Sequence, residues 1–167
     1  MNPQEVIVSQ YLASLEMLKQ AVGKCPEGLW NSPDDKAKFW QVAYHALFYT
    51  HLYLQDSQQT FKAWAKHRDD YHQLGPLPAP TDAEPQLGEP YGKDDILEYL
   101  DICKKEVKER VPSLNLEGES GFYWLPFNKL ELQIYNIRNI QQHAGELMER
   151  LGAGAGIDID WVGMVHN

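Results

Sequence analysis

The stretch "IYNIRNIQQHAGELMERLG" (residues 134–152) decides how this chain reads. It contains no proline, and its apolar residues recur at three and four positions, so it reads as a helix. It carries one histidine, His143. Asn139 sits four residues earlier, one turn back on the same face. Two histidines at that spacing on one helix face would form half of a metal site. Here the first of the two positions is an asparagine.

Extended outward, the helix covers about 128–151, with Gly152 as its C-terminal stop. At 100° per residue, Leu130, Ile134, Ile137, Ile140, Leu147, Met148 and Leu151 define a broad apolar face. A polar strip of Asn136, Asn139, His143 and Glu146 runs along one edge of it, within about 80° of arc. A solvated face would mix Lys with Glu. All four residues of this strip can coordinate a metal or hold a water.

Three more helices follow from the same reading. The first covers roughly 3–23 and stops at the breaker cluster "GKCPEG". The second opens at "SPDD", where Ser32 can cap, Pro33 fits the first helical position and two aspartates suit the positive helix end. It runs through "FWQVAYHALFYTHLYL" (39–54) to about Gln55, and a shorter helical piece, "SQQTFKAWAKH" (57–67), comes after it. The third covers about 93–111, with Ile96, Leu100, Cys103 and Val107 on one stripe. Between the second and third lies "LGPLPAPTDAEPQLGEPYG" (74–92), which holds five of the ten prolines. This segment is extended, not helical. Leucine occurs 19 times and threonine three times, and no segment sustains apolar/polar alternation.

The expected architecture is all-α: one domain over 1–167, a four-helix bundle with a long Pro-rich crossover between helices two and three. Amphipathic helices of this length bury their stripes only against one another. About 18 extended residues reach about 60 Å, twice the roughly 30 Å of a 20-residue helix. Helices two and three therefore need not be antiparallel neighbours.

Composition narrows the partners. The net charge is −9, and no basic cluster stands out. "KHR" at 66–68 is followed at once by Asp69 and Asp70. A nucleic-acid partner is not expected, because phosphate neutralisation needs a basic patch. Mean hydropathy is −0.51, and no apolar run approaches a membrane span. The N-terminal "MNPQEVIVSQ" lacks a signal-peptide pattern. Cys25 and Cys103 are too few for a disulfide framework and read as reduced, buried small hydrophobes. The expected location is the cytoplasm.

On helix two, His45 sits at the edge of the apolar face and His51 nearer its centre. Each histidine alone reads as a core-edge residue with a hydrogen bond. Together, His45 and His143 border faces that must pack in one bundle, and bundles build metal sites from facing helices in this way. "KHRDDYH" (66–72) reads as surface polarity. "GAGAG" (152–156) follows a helix end, so it reads as a flexible cap and tail and not as a phosphate cradle.

"FWQVAYHALFYTHLYL", "LELQIYNIRNIQQHAGELMERLG" and the late "DWVG" resemble the DinB-like superfamily over most of the chain. Relatives commonly read "YNxRHxQHHxxQL" in the fourth helix. The resemblance implies a homodimeric four-helix bundle with a divalent metal, often nickel or zinc, on three histidines. It also implies metal-dependent transfer of a low-molecular-weight thiol to a small-molecule electrophile. Carried over, the ligands are His45 and His143, with Asn139 in place of the third histidine. Gln142 replaces another common histidine, and His51 stands where close relatives often have an aspartate. An amide oxygen is a much poorer ligand than imidazole for zinc or nickel. Glu146, one turn from His143, is the candidate carboxylate ligand or catalytic base. His51 lies about 120° around its helix from His45, too far for one metal to take both. The chain is thus expected to be a metal-dependent thiol transferase or hydrolase. The alternative is an inactive small-molecule-binding scaffold whose metal site has degenerated.

Overall fold

The computed structural model describes residues 2–165. It is all-helical; among the described residues there is no strand, only a lone bridge between Glu119 and Asn128. The helices are α1 (Pro3–Lys24), the single turn α2 (Glu27–Trp30), α3 (Phe39–Tyr53), α4 (Lys93–Arg110) and α5 (Lys129–Ala155). No helix among them is long and apolar enough to cross a membrane.

Local chemistry starts the helices. Asn2 accepts a hydrogen bond from the Gln4 amide with Pro3 at the first helical position, and Asn128 accepts from the Glu131 amide. In α4, Asp94 and Asp95 occupy the first turn and Lys108 and Arg110 the last, matching the helix dipole at both ends.

α5 lies against α1 and α3, and α4 lies against the same two helices on their other flank. Paired contacts fix the directions. Tyr11 meets Gln133 and Met17 meets Gln141, so α1 and α5 run parallel. Thr50 meets Asn136, and Ala37 meets Arg150, so α3 runs against α5. Leu47 meets Cys103 and Gln55 meets Glu106, so α3 and α4 run the same way.

Thirteen of the fifteen residues of α3 are buried. A helix apolar all round must be enclosed, and the segment between α3 and α4 completes the enclosure. Its Trp64 stacks on Tyr99 of α4 at 4.6 Å, and its Tyr91 lies 4.8 Å from Tyr44 of α3. Tyr71 packs on Trp40 at 5.4 Å. The Pro-rich stretch is irregular, as the sequence implies, but aromatic anchors on both sides of it hold the connection down.

Four expectations are corrected. The second long helix begins at Phe39, not at Ser32. The Lys38 ammonium donates to the carbonyls of Ser32 and Asp35, closing residues 32–38 into a turn that the helix cannot enter. Only Gln58–Thr60 of the 57–67 piece is helical, as one 3-10 turn. α5 continues through Gly152 and ends at Gly156, whose φ of 64° is the left-handed conformation that glycine adopts freely. The tail beyond is not a loose end. Lys24 donates to the Asp158 carbonyl, Gln20 brackets Asp160 with two hydrogen bonds, and Gln10 donates to the Gly163 carbonyl. The tail therefore lies antiparallel on α1.

The face of α5 is also turned from the expected one. Leu130, Ile134 and Met148 are exposed, while Gln133, Asn136 and His143 are buried. The buried amides have partners: Tyr11 donates to Gln133 at 2.8 Å, and Asn136 donates to the Thr50 carbonyl. Those bonds offset part of the cost of turning a polar face inward.

At the junction of α3 and α5, buried Lys129 donates to the carbonyls of Gln55, Asp56 and Ser120. Gly121 completes this junction at φ 87°, and a Cβ there would stand 1.8 Å from the Asp56 carbonyl oxygen. Gly121→Ala is expected to lose about 2 kcal/mol or more of stability, from backbone strain plus the displaced carbonyl. Urea unfolding measures it; an unchanged midpoint would contradict this account of the junction.

Candidate metal centre

The two residues of α3 that escape full burial are His45 and Tyr49. They are four apart and so share one face. That face meets α5 at His143. The His45 and His143 rings lie 4.7 Å apart, nearly perpendicular at 78°.

Each ring is fixed through its Nδ1. His45 Nδ1 lies 2.6 Å from the His72 carbonyl oxygen, which can only accept, so the proton is on Nδ1. His143 Nδ1 lies 3.1 Å from a carboxylate oxygen of Glu146. The hydrogen bond from His143 comes first among the causes that hold the Glu146 carboxyl below its ordinary range, with Arg150 adding to it. Glu146 is therefore an ionised acceptor, and the neutral form of His143 carries its proton on Nδ1. Both Nε2 atoms are left with lone pairs. A histidine bonded through Nδ1 to a carbonyl or carboxylate is the usual form of a metal-ligating imidazole.

Burial is the main reason His45 is pushed down to about 4. It is therefore neutral, and able to act as a ligand, throughout the physiological range.

Glu146 has no oxygen to spare. Its second oxygen accepts from Arg150, which also donates to the Ala37 carbonyl at 2.7 Å and lies 3.6 Å from Asp35. Its place is behind His143, orienting the ring. Among the described residues, no three His, Cys, Asp or Glu side chains are grouped so as to hold a metal ion.

Asn139, one turn before His143, is half-buried, and its Oδ1 is buried with no hydrogen-bond partner. The Oδ1 of fully buried Asn136 is also without a partner. An orphaned buried carbonyl is costly. At Asn139 this leaves an acceptor on the same helix face as His143.

The remaining candidates lie elsewhere. His51 turns toward α4, sharing a 3.2 Å hydrogen bond with the Tyr99 hydroxyl and packing against Phe61. That agrees with its angular separation from His45. Gln142 is exposed. The "KHRDDYH" histidines are not surface residues: His72 stacks on Phe48 at 4.0 Å, and His67 bonds the Tyr44 hydroxyl at 2.6 Å. No sequence pattern reveals that His72 steadies His45, because the bond is made by its backbone across 27 residues.

The pH dependence of stability follows in sign. His45 and His72 are both pushed down to about 4, chiefly by burial, from about 6.5. Between those values the unfolded chain binds more protons, so stability falls as the pH drops from about 6.5 toward 4. Glu146, held low, extends the loss to more acid pH. The urea midpoint of metal-free protein is expected to decline steadily over this window, and less so in His45→Asn. A midpoint constant between pH 7 and 5 would refute the burial of these rings.

No family model, no curated protein and no solved structure matches the chain.

Proposed function

We propose that the chain is a DinB-like protein that holds a divalent metal, nickel or zinc, and acts on a small molecule. In this reading α1, α3, α4 and α5 form the four-helix bundle, the Pro-rich connection is its crossover, and the protein is a cytoplasmic homodimer. The observation that carries it is the His45–His143 pair, with both Nδ1 atoms engaged from behind and both Nε2 atoms free.

His45 and His143 would be the strong ligands, and the unpartnered Asn139 Oδ1 the weak one. A divalent metal there would supply Lewis acidity toward a thiol or a water. Glu146 is a positioning residue: tied to Arg150, it keeps the proton on His143 Nδ1. The thiol would be a cosubstrate, because the chain's own thiols are unsuited. Cys25 and Cys103 are both free and buried, and burial pushes both thiols up. Thiol transfer to an electrophile fits best, with hydrolysis as the variant in which water replaces the thiol.

The missing third imidazole and the engaged oxygens of Glu146 favour a second reading, a metal-free binding protein on the same scaffold. Elemental analysis of untagged protein, purified without added metal or chelator, separates the two. Bound nickel or zinc that disappears in His45→Ala is the expected result. Glu146→Gln should weaken affinity about 10–100-fold, as the loss of a carboxylate behind a ligating histidine does. Metal-free protein with no thermal shift on adding zinc or nickel would overturn the metal reading. Strong binding appearing only in Asn139→His would then identify the lost ligand.

A further inference from the structure

An aromatic path leads to the histidine pair from the loop before α5. Trp124 of that loop is partly exposed, and its indole nitrogen lies 3.5 Å from the Tyr53 hydroxyl. Tyr53 is 5.9 Å from Tyr135 of α5 and 5.6 Å from Tyr49. Tyr49 is 4.8 Å from His45. Tyr53 is buried, so this is a row of packed rings that solvent reaches at Tyr135, 38% exposed.

Beside it on α5 is a cleft of about 420 Å³, lined by Tyr135, Arg138, Asn139, Gln141 and Gln142. It is open to solvent, and all five lining residues come from consecutive turns of α5. Arg138 makes no hydrogen bond or ion pair among the described residues, whereas Arg68, Arg110 and Arg150 are all engaged. In a chain of net charge −9, Arg138 is an arginine left without an acidic partner, three residues from Tyr135 on the same cleft. The same cleft reaches Asn139, whose buried Oδ1 lacks a partner.

We propose that this cleft selects a planar aromatic carboxylate, its ring on Tyr135 and its carboxylate on Arg138, with its far side directed along the tyrosines toward His45. An aromatic face on Tyr135 gains from offset or edge contact. Arg138 offers a planar fork that matches a carboxylate, and Gln142 adds amide donors. The assignment deepens the metal reading by naming a substrate class, and it rests on that reading only for what happens at the reactive end. Binding itself requires no metal.

The test therefore uses metal-free protein. Saturation-transfer NMR and a titration with 2-naphthoate measure binding, with 2-naphthylmethanol as the uncharged analogue and cyclohexanecarboxylate as the ringless one. The expected result is saturable binding of naphthoate, weaker for both analogues. Affinity should fall about three- to tenfold in Arg138→Gln and in Tyr135→Ala, the range expected of one exposed charge pair or one aromatic contact. Both side chains are exposed or partly so, and an unchanged melting temperature certifies the fold. If Tyr135→Ala unfolds, Arg138→Gln alone decides. No saturable binding, or equal binding by the variants or by the naphthyl alcohol, overturns the proposal. Naphthoate binding to a protein that never holds metal would sink the metal reading and leave this one standing; metal without naphthoate binding would do the reverse.

Discussion

α3 has almost no face to give to water, and the rest of the molecule is arranged around that constraint. Tyr44 shows how it is met: this one side chain touches Tyr91 and Trp64 of the connection, Tyr99 of α4 and His67. The connection and α4 both have to converge on α3, so the chain between α3 and α4 cannot be a free tether. The same enclosure explains the candidate site. Only at His45 and Tyr49 does α3 lack complete cover, and there it meets the polar side of α5.

The site is built by fixing protons. His45 gives its Nδ1 proton to a backbone carbonyl and His143 gives its own to a carboxylate braced by Arg150. Neither ring is free to turn over without losing a hydrogen bond in a half-buried place, which would cost about 1–3 kcal/mol. Each ring, when neutral, keeps a lone pair on Nε2, and the hydrogen bonds that hold the two rings are made as the chain folds. Glu146, read from sequence as a ligand or base, is committed to this supporting role.

Much of the fold was legible where apolar spacing alone decides. Ile96, Leu100, Cys103 and Val107 of α4 are all fully buried, as their stripe requires. Helix existence and approximate length followed from the same logic in α1 and α5. The pairing of His45 with His143 was also legible, from two apolar faces that had to meet. Legibility ended where burial depends on a distant partner. A helical wheel puts Asn136 only at the edge of the apolar face, and the structure buries it completely, with Gln133. They are inward because Tyr11 and Thr50 bond them from α1 and α3. The start of α3 was misplaced for a related reason: local capping rules favoured Ser32, but the Lys38 ammonium draws the preceding carbonyls into a turn. The steadying of His45 by His72 is a backbone contact, and side-chain patterns carry no trace of it.

The parallel pairing of α1 with α5 has a consequence for how the chain reaches this state. The most extensive partner of α1 is α5, and Tyr11 and Gln133 lie 122 residues apart. On a ribosome, α1 emerges well before α5, and until α5 is made α4 can cover only part of its stripe. Loop closure over such a span precedes the reward of contact, so this helical protein folds more slowly than bundles whose neighbours in space are neighbours in sequence.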